Sequence, residues 1–136
     1  MRKWLLLACT ALFILPVACK AVNQDSLWMY AHYTKKEVYI PMRDGVKLFT
    51  SIYLPKDQSE QHPILMTRTP YSCAPYGTEK WRDYYTSYLR YYLREGYIMV
   101  TQDVRGRWMS EGQFVDVRPF IKDKKAGQID EASDTY

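Results

Sequence analysis

Apolar and polar residues alternate in two short runs on either side of an Asp-Gly pair. The runs cover residues 37–42 and 46–54, Arg43, Asp44 and Gly45 join them, and Pro55 follows the second run. Alternation at every second position is typical of a half-buried strand. Asp-Gly between two such runs favours a tight turn whose central residues have positive φ. The pattern therefore predicts an antiparallel β-hairpin.

Two further apolar runs flank a segment with helical spacing. The segments 63–68 and 97–103 are short and largely apolar, as are strands in the interior of a sheet. Between them, large apolar side chains recur every three or four residues: Trp81, Tyr85, Tyr88, Leu89, Tyr92 and Leu93. This spacing predicts one amphipathic helix from Glu79 onward, with its aromatic face packed on the sheet and Gly96 as its C-terminal cap.

A strand, a helix and a buried strand in succession form the unit of a parallel sheet covered by helices. The predicted fold class is therefore α/β, with an initial β-hairpin followed by the strand-helix-strand unit of a mostly parallel sheet. Residues 104–127 show no periodicity and are predicted to be a loop. Asp130 and Glu131 suit the first turn of a helix, where carboxylates meet unpaired backbone N–H groups. Because that helix begins just before Tyr136, we expect the chain to be a fragment.

The first residues have the pattern of a secretory signal peptide. Arg2 and Lys3 precede an apolar run over residues 4–17, and small residues follow at Ala18 and Ala21. The run is shorter than the ~20 residues of a membrane span. We therefore expect a signal peptide over residues 1–21, a linker over residues 22–36, a domain over residues 37–136, and a secreted or periplasmic protein.

A second cleavage site lies in the same segment. Residues 16–19 read Pro-Val-Ala-Cys and resemble a lipoprotein box without its usual leucine. A lipid on Cys19 would anchor the protein to a membrane. Membrane association is expected only in that case, and plain secretion is favoured.

Charge and cysteine content exclude several function classes. The formal net charge of +4 includes Arg2, Lys3 and Lys20, so the chain after residue 21 carries +1. This balance favours neither nucleic acid nor an acidic surface as a partner. After the leader, Cys73 is the single cysteine, and the sequence contains no metal-ligand spacing of His and Cys. No disulfide, metal or cofactor is expected, and the sequence does not determine the oligomeric state.

Two segments follow predicted strands of the parallel unit, at the place where open α/β sheets bind their ligands. Tyr71 ends the first segment, Thr69–Pro70–Tyr71, and its hydroxyl is able to donate to the oxygen that gains charge during acyl transfer. Asp103 begins the second, as a general base or metal ligand, and Arg105 and Arg107 beside it suit an anionic substrate.

Structural roles are the alternative for each of these residues. A turn tyrosine with a solvated hydroxyl accounts for Tyr71, and an Asp103–arginine pair that shapes a tight Gly106 turn accounts for residues 103–107. Residue types alone favour these structural roles. His32 and His62 lie in polar connections and are expected at the surface. The sequence contains no Gly-x-Ser-x-Gly nucleophile elbow.

The order of the motifs resembles one family of serine hydrolases, the group of cocaine esterase, glutaryl-cephalosporin acylase and Xaa-Pro dipeptidyl-peptidase. The resemblance extends over residues 37–136. Its motifs are residues 38–48 around Asp44-Gly45, Arg68-Thr69-Pro70-Tyr71, Arg94-Glu95-Gly96-Tyr97, Gln102-Asp103-Val104-Arg105-Gly106-Arg107, Ser110-Glu111-Gly112 and Asp130-Glu131.

The resemblance implies an α/β-hydrolase domain with a helical cap, a C-terminal jelly-roll domain, and catalytic Ser, Asp and His in that chain order. It implies that Tyr71 forms half of the oxyanion hole. Residues 103–107 also match a family motif, and we assign them a structural role. The nucleophile would follow the helix that begins near Asp130, so the chain by itself is expected to be inactive. The implied substrates are small esters, amides or Xaa-Pro peptides.

Two other functions remain open at this point. A secreted, non-catalytic binding module would expose the aromatic residues of the predicted helix, whereas a hydrolase would pack them on the sheet. The third possibility is the inactive remnant of a decayed hydrolase gene.

Overall fold

The computed structural model describes residues 24–84 and 86–136. The predicted signal peptide and Cys19 lie outside these residues. The elements are, in chain order, α1 (Gln24–His32), β1 (Tyr33–Pro41), β2 (Lys47–Pro55), β3 (Ile64–Thr69), α2 (Leu89–Arg94), β4 (Ile98–Asp103) and α3 (Glu131–Thr135). None of the described helices has the length and apolar character needed to cross a bilayer.

The strands form one four-stranded sheet with the order β1-β2-β4-β3. β1 and β2 are the predicted antiparallel hairpin, β4 is antiparallel to β2, and β3 is parallel to β4. The predicted α/β class, with its initial hairpin and strand-helix-strand unit, is confirmed. The described sheet is mixed and not mostly parallel, because two of its three strand pairs are antiparallel. β3 lies at an edge of the described sheet, with Ile64 65% exposed, and not in the sheet interior that its apolar sequence predicts.

The hairpin turn differs in detail from its prediction. The N–H of Gly45 donates to the carbonyl of Met42 at 2.9 Å, and that of Met42 donates to the carbonyl of Val46 at 2.8 Å. Gly45 has a φ of 85°, whereas Asp44 is not among the described residues with positive φ. The loop therefore needs one left-handed residue, as in three-residue hairpins that end in a glycine bulge.

The predicted linker over residues 22–36 is wrong for the part that the structure describes. Residues 24–32 form α1, which buries Met29, and β1 begins at Tyr33, four residues before the predicted strand. The Tyr33 hydroxyl donates to the carbonyls of Leu93 and Tyr97 at 2.8 and 3.0 Å. The Lys35 side chain is also buried and bonds to three backbone carbonyls of residues 75–80. The sequence did not predict these hydrogen bonds of Tyr33 and Lys35, because their acceptors are distant along the chain.

The predicted helix from Glu79 is much shorter in the structure, where α2 covers Leu89–Arg94. Tertiary partners take the backbone groups that a longer helix would need. The carbonyl of Lys80 accepts from Lys35 Nζ at 2.8 Å, and the N–H of Arg82 donates to the Tyr53 hydroxyl at 2.9 Å. The predicted cap is confirmed, because the N–H groups of Gly96 and Tyr97 close the end of α2 as in a Schellman motif.

The aromatic stripe is split between core and surface. Leu93 is buried, and Trp81 and Leu89 pack against the main core, whose buried members are Met29, Tyr33, Tyr53, Tyr84, Leu93 and Met99. Tyr88 is 70% exposed and Tyr92 is 37% exposed, so the prediction that the whole stripe packs on the sheet is wrong. Tyr84 enters the core, where its hydroxyl lies 2.6 Å from Thr101 Oγ1.

Candidate functional site at the carboxyl ends of β3 and β4

The two segments singled out in the sequence meet at one edge of the sheet. Because β3 and β4 are parallel, their carboxyl ends coincide, and Thr69 is paired with Asp103. The N–H of Val104 donates to the carbonyl of Thr69 at 3.2 Å. Residues 70–77 and 104–112, which we call the Tyr71 loop and the Trp108 loop, therefore leave the sheet side by side.

Asp103 is fully buried and bonds to both loops. Its carboxylate accepts from the N–H of Cys73 at 2.7 Å, from the Tyr76 hydroxyl at 2.9 Å and from the N–H of Met109 at 3.4 Å. Burial raises the pKa of the Cys73 thiol and of the Tyr76 hydroxyl to about 12. The predicted pairing of Asp103 with a neighbouring arginine is wrong, because backbone and hydroxyl donors of the two loops satisfy its charge. Tyr76 was missed in the sequence, and Cys73 was noted only as the single cysteine after the leader, since turn residues carry no periodic signal.

Arg105 is instead the centre of a buried ion cluster. Its guanidinium donates to Asp134 Oδ1 at 2.6 Å and to Asp44 Oδ2 at 2.8 Å, and its side chain is 3% exposed. The hydrogen bonds to Asp134 raise the pKa of Arg105, and the guanidinium holds the pKa of the Asp44 carboxyl below its usual range. The cluster joins the hairpin turn, the Trp108 loop and α3. Arg105 is therefore not positioned to bind an anionic substrate.

α3 begins as its sequence predicts. Asp130 is the N-cap, and its carboxylate accepts from the N–H of Ser133 at 2.8 Å, while the Ser133 hydroxyl accepts from the N–H of Asp130 at 3.1 Å. This reciprocal capping box orients the first turn of the helix. As a result, Asp134 faces Arg105 in the ion cluster.

The Trp108 loop is folded back on itself at Gly106. Gly106 has a φ of 70°, and a Cβ there would lie 2.0 Å from the backbone nitrogen of Phe114. The Ser110 hydroxyl donates to the carbonyl of Asp103 at 2.6 Å and accepts from the N–H of Phe49 at 2.9 Å. Ser110 thus attaches the loop to β4 and β2, and Gly106 allows its close approach to Phe114. The structural role that the sequence favoured for residues 103–107 agrees with these contacts.

Tyr71 lies two residues beyond the end of β3. Its N–H donates to Thr69 Oγ1 at 3.0 Å, which fixes the start of the loop, and its side chain is 85% exposed. An exposed hydroxyl at a strand end is geometrically able to reach a bound molecule. The oxyanion role of Tyr71 stays a prediction.

Arg107 and Trp108 both donate to the carbonyl of Pro70, the residue before Tyr71. The distances are 3.2 Å from Arg107 Nε and 2.9 Å from Trp108 Nε1. Trp108 was not singled out in the sequence. A tryptophan in the loop directly after a buried strand is the signal that points to it.

Both histidines lie away from Tyr71, at the opposite end of the sheet. They line a cavity of about 390 Å³ between α1 and the C-terminal end of α2. His32 is exposed, as predicted, whereas His62 is half-buried and its Nε2 lies 2.7 Å from the carbonyl of Asp57. Among residues 24–84 and 86–136 there is no group of three His, Cys, Asp or Glu side chains that could hold a metal ion.

Comparison with known proteins identifies related hydrolases. Residues 44–136 match the model of the X-Pro dipeptidyl-peptidase (S15) family. The chain is 39% identical over 87 residues to a cocaine esterase of Rhodococcus sp. (strain MB1 Bresler), an alignment that covers 64% of this chain and 14% of the esterase.

Two solved structures share the fold. An aminopeptidase from a marine sediment Thaumarchaeota archaeon is 37% identical with a TM-score of 0.61, over 77% of this chain and 18% of that one. An α-amino acid ester hydrolase labelled with selenomethionine is 38% identical with the same TM-score, over 92% of this chain and 20% of that one. The chain therefore has the fold of the N-terminal part of an α/β-hydrolase, and it spans a fifth or less of each relative.

Proposed function

Since the chain belongs to the X-Pro dipeptidyl-peptidase (S15) family of hydrolases, we propose that it is the N-terminal portion of a secreted serine hydrolase. The relatives are named as an esterase, an aminopeptidase and an ester hydrolase. Small esters, amides and Xaa-Pro peptides are the corresponding substrate classes. The residues up to Tyr136 contain no Gly-x-Ser-x-Gly elbow, so the chain alone is inactive.

In the proposed reaction, the hydroxyl of a serine in a later segment attacks the acyl carbon. The bond to the alcohol or amine of the substrate breaks, this group leaves with the proton of the serine, and an acyl-enzyme remains. Water then hydrolyses the acyl-enzyme, which releases the acid and restores the serine. The carbonyl oxygen becomes an oxyanion during both steps. The Tyr71 hydroxyl donates a hydrogen bond to that oxyanion. The observation that carries this role is the exposure of Tyr71 at the carboxyl end of β3, on a loop that is fixed to the Asp103 carboxylate.

The aromatic stripe supports hydrolysis over the alternative of a binding module through its buried members only. A binding module would expose the whole stripe, whereas a hydrolase would pack it on the sheet. Trp81, Leu89 and Leu93 instead pack on the core, which leaves Tyr88 and Tyr92 as the exposed members of the stripe whose side chains the structure describes.

The first experiment is to sequence the encoding DNA beyond the codon for Tyr136. A reading frame that continues into Gly-x-Ser-x-Gly, and later supplies Asp and His, supports the serine-hydrolase proposal. An immediate stop codon would support the decayed remnant instead and would contradict a catalytic function of this protein.

The Tyr71→Phe variant of the full-length protein then tests the oxyanion role. We expect kcat to fall by about 10²- to 10³-fold, because one of the two oxyanion donors is removed. Tyr91→Phe is the matched control, since Tyr91 is also an exposed tyrosine but lies on α2. An unchanged kcat in Tyr71→Phe would contradict the assigned role.

Export is the second part of the proposal. Cleavage after Ala21 gives a mature protein that starts at Val22, and lipidation gives one that starts at a modified Cys19. Mass spectrometry of the mature N-terminus in the native host distinguishes these two forms. An intact Met1 on the mature protein would contradict export through this segment.

A further inference from the structure

Left-handed backbone conformations are concentrated around Tyr71. Among the non-glycine residues that the structure describes, Ser72, Trp108 and Val117 have positive φ, at 89°, 51° and 50°. Ser72 directly follows Tyr71, and Trp108 bonds to the carbonyl that directly precedes it. Bulky residues avoid this conformation, and structures retain it mostly where a functional site requires a particular side-chain direction.

Trp108 presents an apolar surface at this edge of the sheet. Its side chain is 60% exposed, although tryptophan is a residue that folded proteins usually bury to a large extent. The indole N–H is its single polar group, and it is already bonded to the carbonyl of Pro70. What remains of the exposed indole is therefore apolar, and it suits an apolar group of a ligand.

Hydrogen bonds of the residues next to it hold Trp108 in this exposed position. The N–H of Met109 donates to the Asp103 carboxylate, which also accepts from Cys73 in the Tyr71 loop. The N–H of Ser110 donates to the carbonyl of Arg107 at 2.9 Å, which closes a turn around Trp108. The indole is thus positioned relative to Tyr71 before any ligand binds, as a specificity-determining residue must be.

We propose that Trp108 borders the substrate site beside Tyr71 and selects substrates that carry an aromatic or branched apolar group. This inference rests on the proposed function. The apolar group packs on the exposed indole, and the Tyr71 hydroxyl lies at the reacting carbonyl. Trp108 determines which substrate is preferred and takes no part in proton transfer.

The test compares Trp108→Ala with the unaltered full-length protein on two pairs of esters. One pair varies the acyl group (4-nitrophenyl acetate and 4-nitrophenyl phenylacetate), and the other varies the leaving group (ethyl acetate and benzyl acetate). We expect kcat/KM to fall about tenfold or more for 4-nitrophenyl phenylacetate, for benzyl acetate or for both. In at least one pair, kcat/KM for the smaller ester should change less than about twofold. Trp108→Phe should restore most of the preference, and Tyr91→Ala, which removes an equally exposed aromatic ring on α2, should leave all four values unchanged.

An equal loss on all four esters, or no loss on any, would overturn the inference. The first outcome would mean that Trp108 only holds the Tyr71 loop.

A second readout does not depend on turnover. Phenylacetate should quench tryptophan fluorescence of the unaltered protein and quench that of Trp108→Phe markedly less. Equal quenching in both proteins would overturn the inference about Trp108. A protein that binds phenylacetate through Trp108 but hydrolyses none of the four esters would contradict the proposed function alone.

Discussion

The two ends of the sheet are stabilised by different chemistry. Around the start of β4, aromatic and aliphatic side chains such as Tyr53, Leu93 and Met99 are buried against one another. Around its carboxyl end, two charged residues are buried: Asp103 is bonded to backbone and hydroxyl donors, and Arg105 is bonded to carboxylates. Apolar burial is non-directional and tolerates approximate geometry, whereas a buried charge is stable only when its partners are placed accurately. We therefore expect the stability of the polar end to depend more strongly on single residues.

The largest effect is expected when the ion cluster is broken. Arg105→Ala leaves Asp134, whose side chain is 1% exposed, without its main partner, and should lower the free energy of unfolding by about 3 kcal/mol. Arg94→Ala is the matched control, because Arg94 forms an exposed pair with Asp25 and should cost less than about 1 kcal/mol. Urea denaturation of the full-length proteins measures both values. Equal losses in the two variants would contradict the distinction between buried and exposed charge.

The same cluster should make the polar end sensitive to acid. Arg105 lowers the pKa of Asp44 in the folded state, so Asp44 stabilises the fold above its unfolded-state pKa of about 4. That contribution is lost as the pH falls through the lower folded-state pKa. We expect the stability difference between the unaltered protein and Arg105→Ala to shrink below pH 4. A difference that stays constant down to pH 2 would show that Asp44 contributes nothing through its charge.

A somewhat smaller effect is expected at the apolar end. Leu93→Ala removes a side chain that is 2% exposed at the centre of the core and should lower the free energy of unfolding by about 2 to 3 kcal/mol. Leu27→Ala is the control, since Leu27 is 48% exposed on α1 and should change stability by less than about 0.5 kcal/mol. Unlike that of Arg105→Ala, the loss in Leu93→Ala should be the same at pH 3 and pH 7. A loss that varied with acid pH would contradict the contrast between the two ends.

The last effect is expected at Cys73. It is the smallest of the four at neutral pH, because the charge of the thiol changes stability only in alkaline solution. Burial raises the pKa of its thiol from 9.0 to about 12, so the folded protein keeps the thiol protonated while the unfolded chain releases the proton. The stabilising contribution is complete below pH 9 and is lost as the pH rises towards 12. Cys73→Ala should therefore lose less stability than the unaltered protein between pH 8 and pH 10.5. Identical losses in urea denaturation would contradict the thiol's contribution.

Local patterns predicted much of the polar-end framework. Asp44-Gly45 between alternating runs predicted the hairpin, two apolar runs predicted the parallel pair β3 and β4, and Asp130-Glu131 predicted the start of α3. These signals depend on neighbouring residues, so they are readable without knowledge of the fold. The same local reasoning was wrong for residues 24–36 and for the helix from Glu79, because distant groups, Lys35 and Tyr53 among them, decide the conformation of those segments.

The sequence by itself determined the fold class, the place of Tyr71 at a strand end and the resemblance to a hydrolase family, since each depends on residue order and local periodicity. Tertiary structure alone decided that Arg105 pairs with Asp44 and Asp134, which lie 61 and 29 positions away along the chain. It also decided that Asp103 joins the two loops around Tyr71 and that Trp108 stays exposed beside them. The physical reason is that a buried charge takes the partners that the folded chain brings within hydrogen-bonding distance, and local sequence does not encode that proximity.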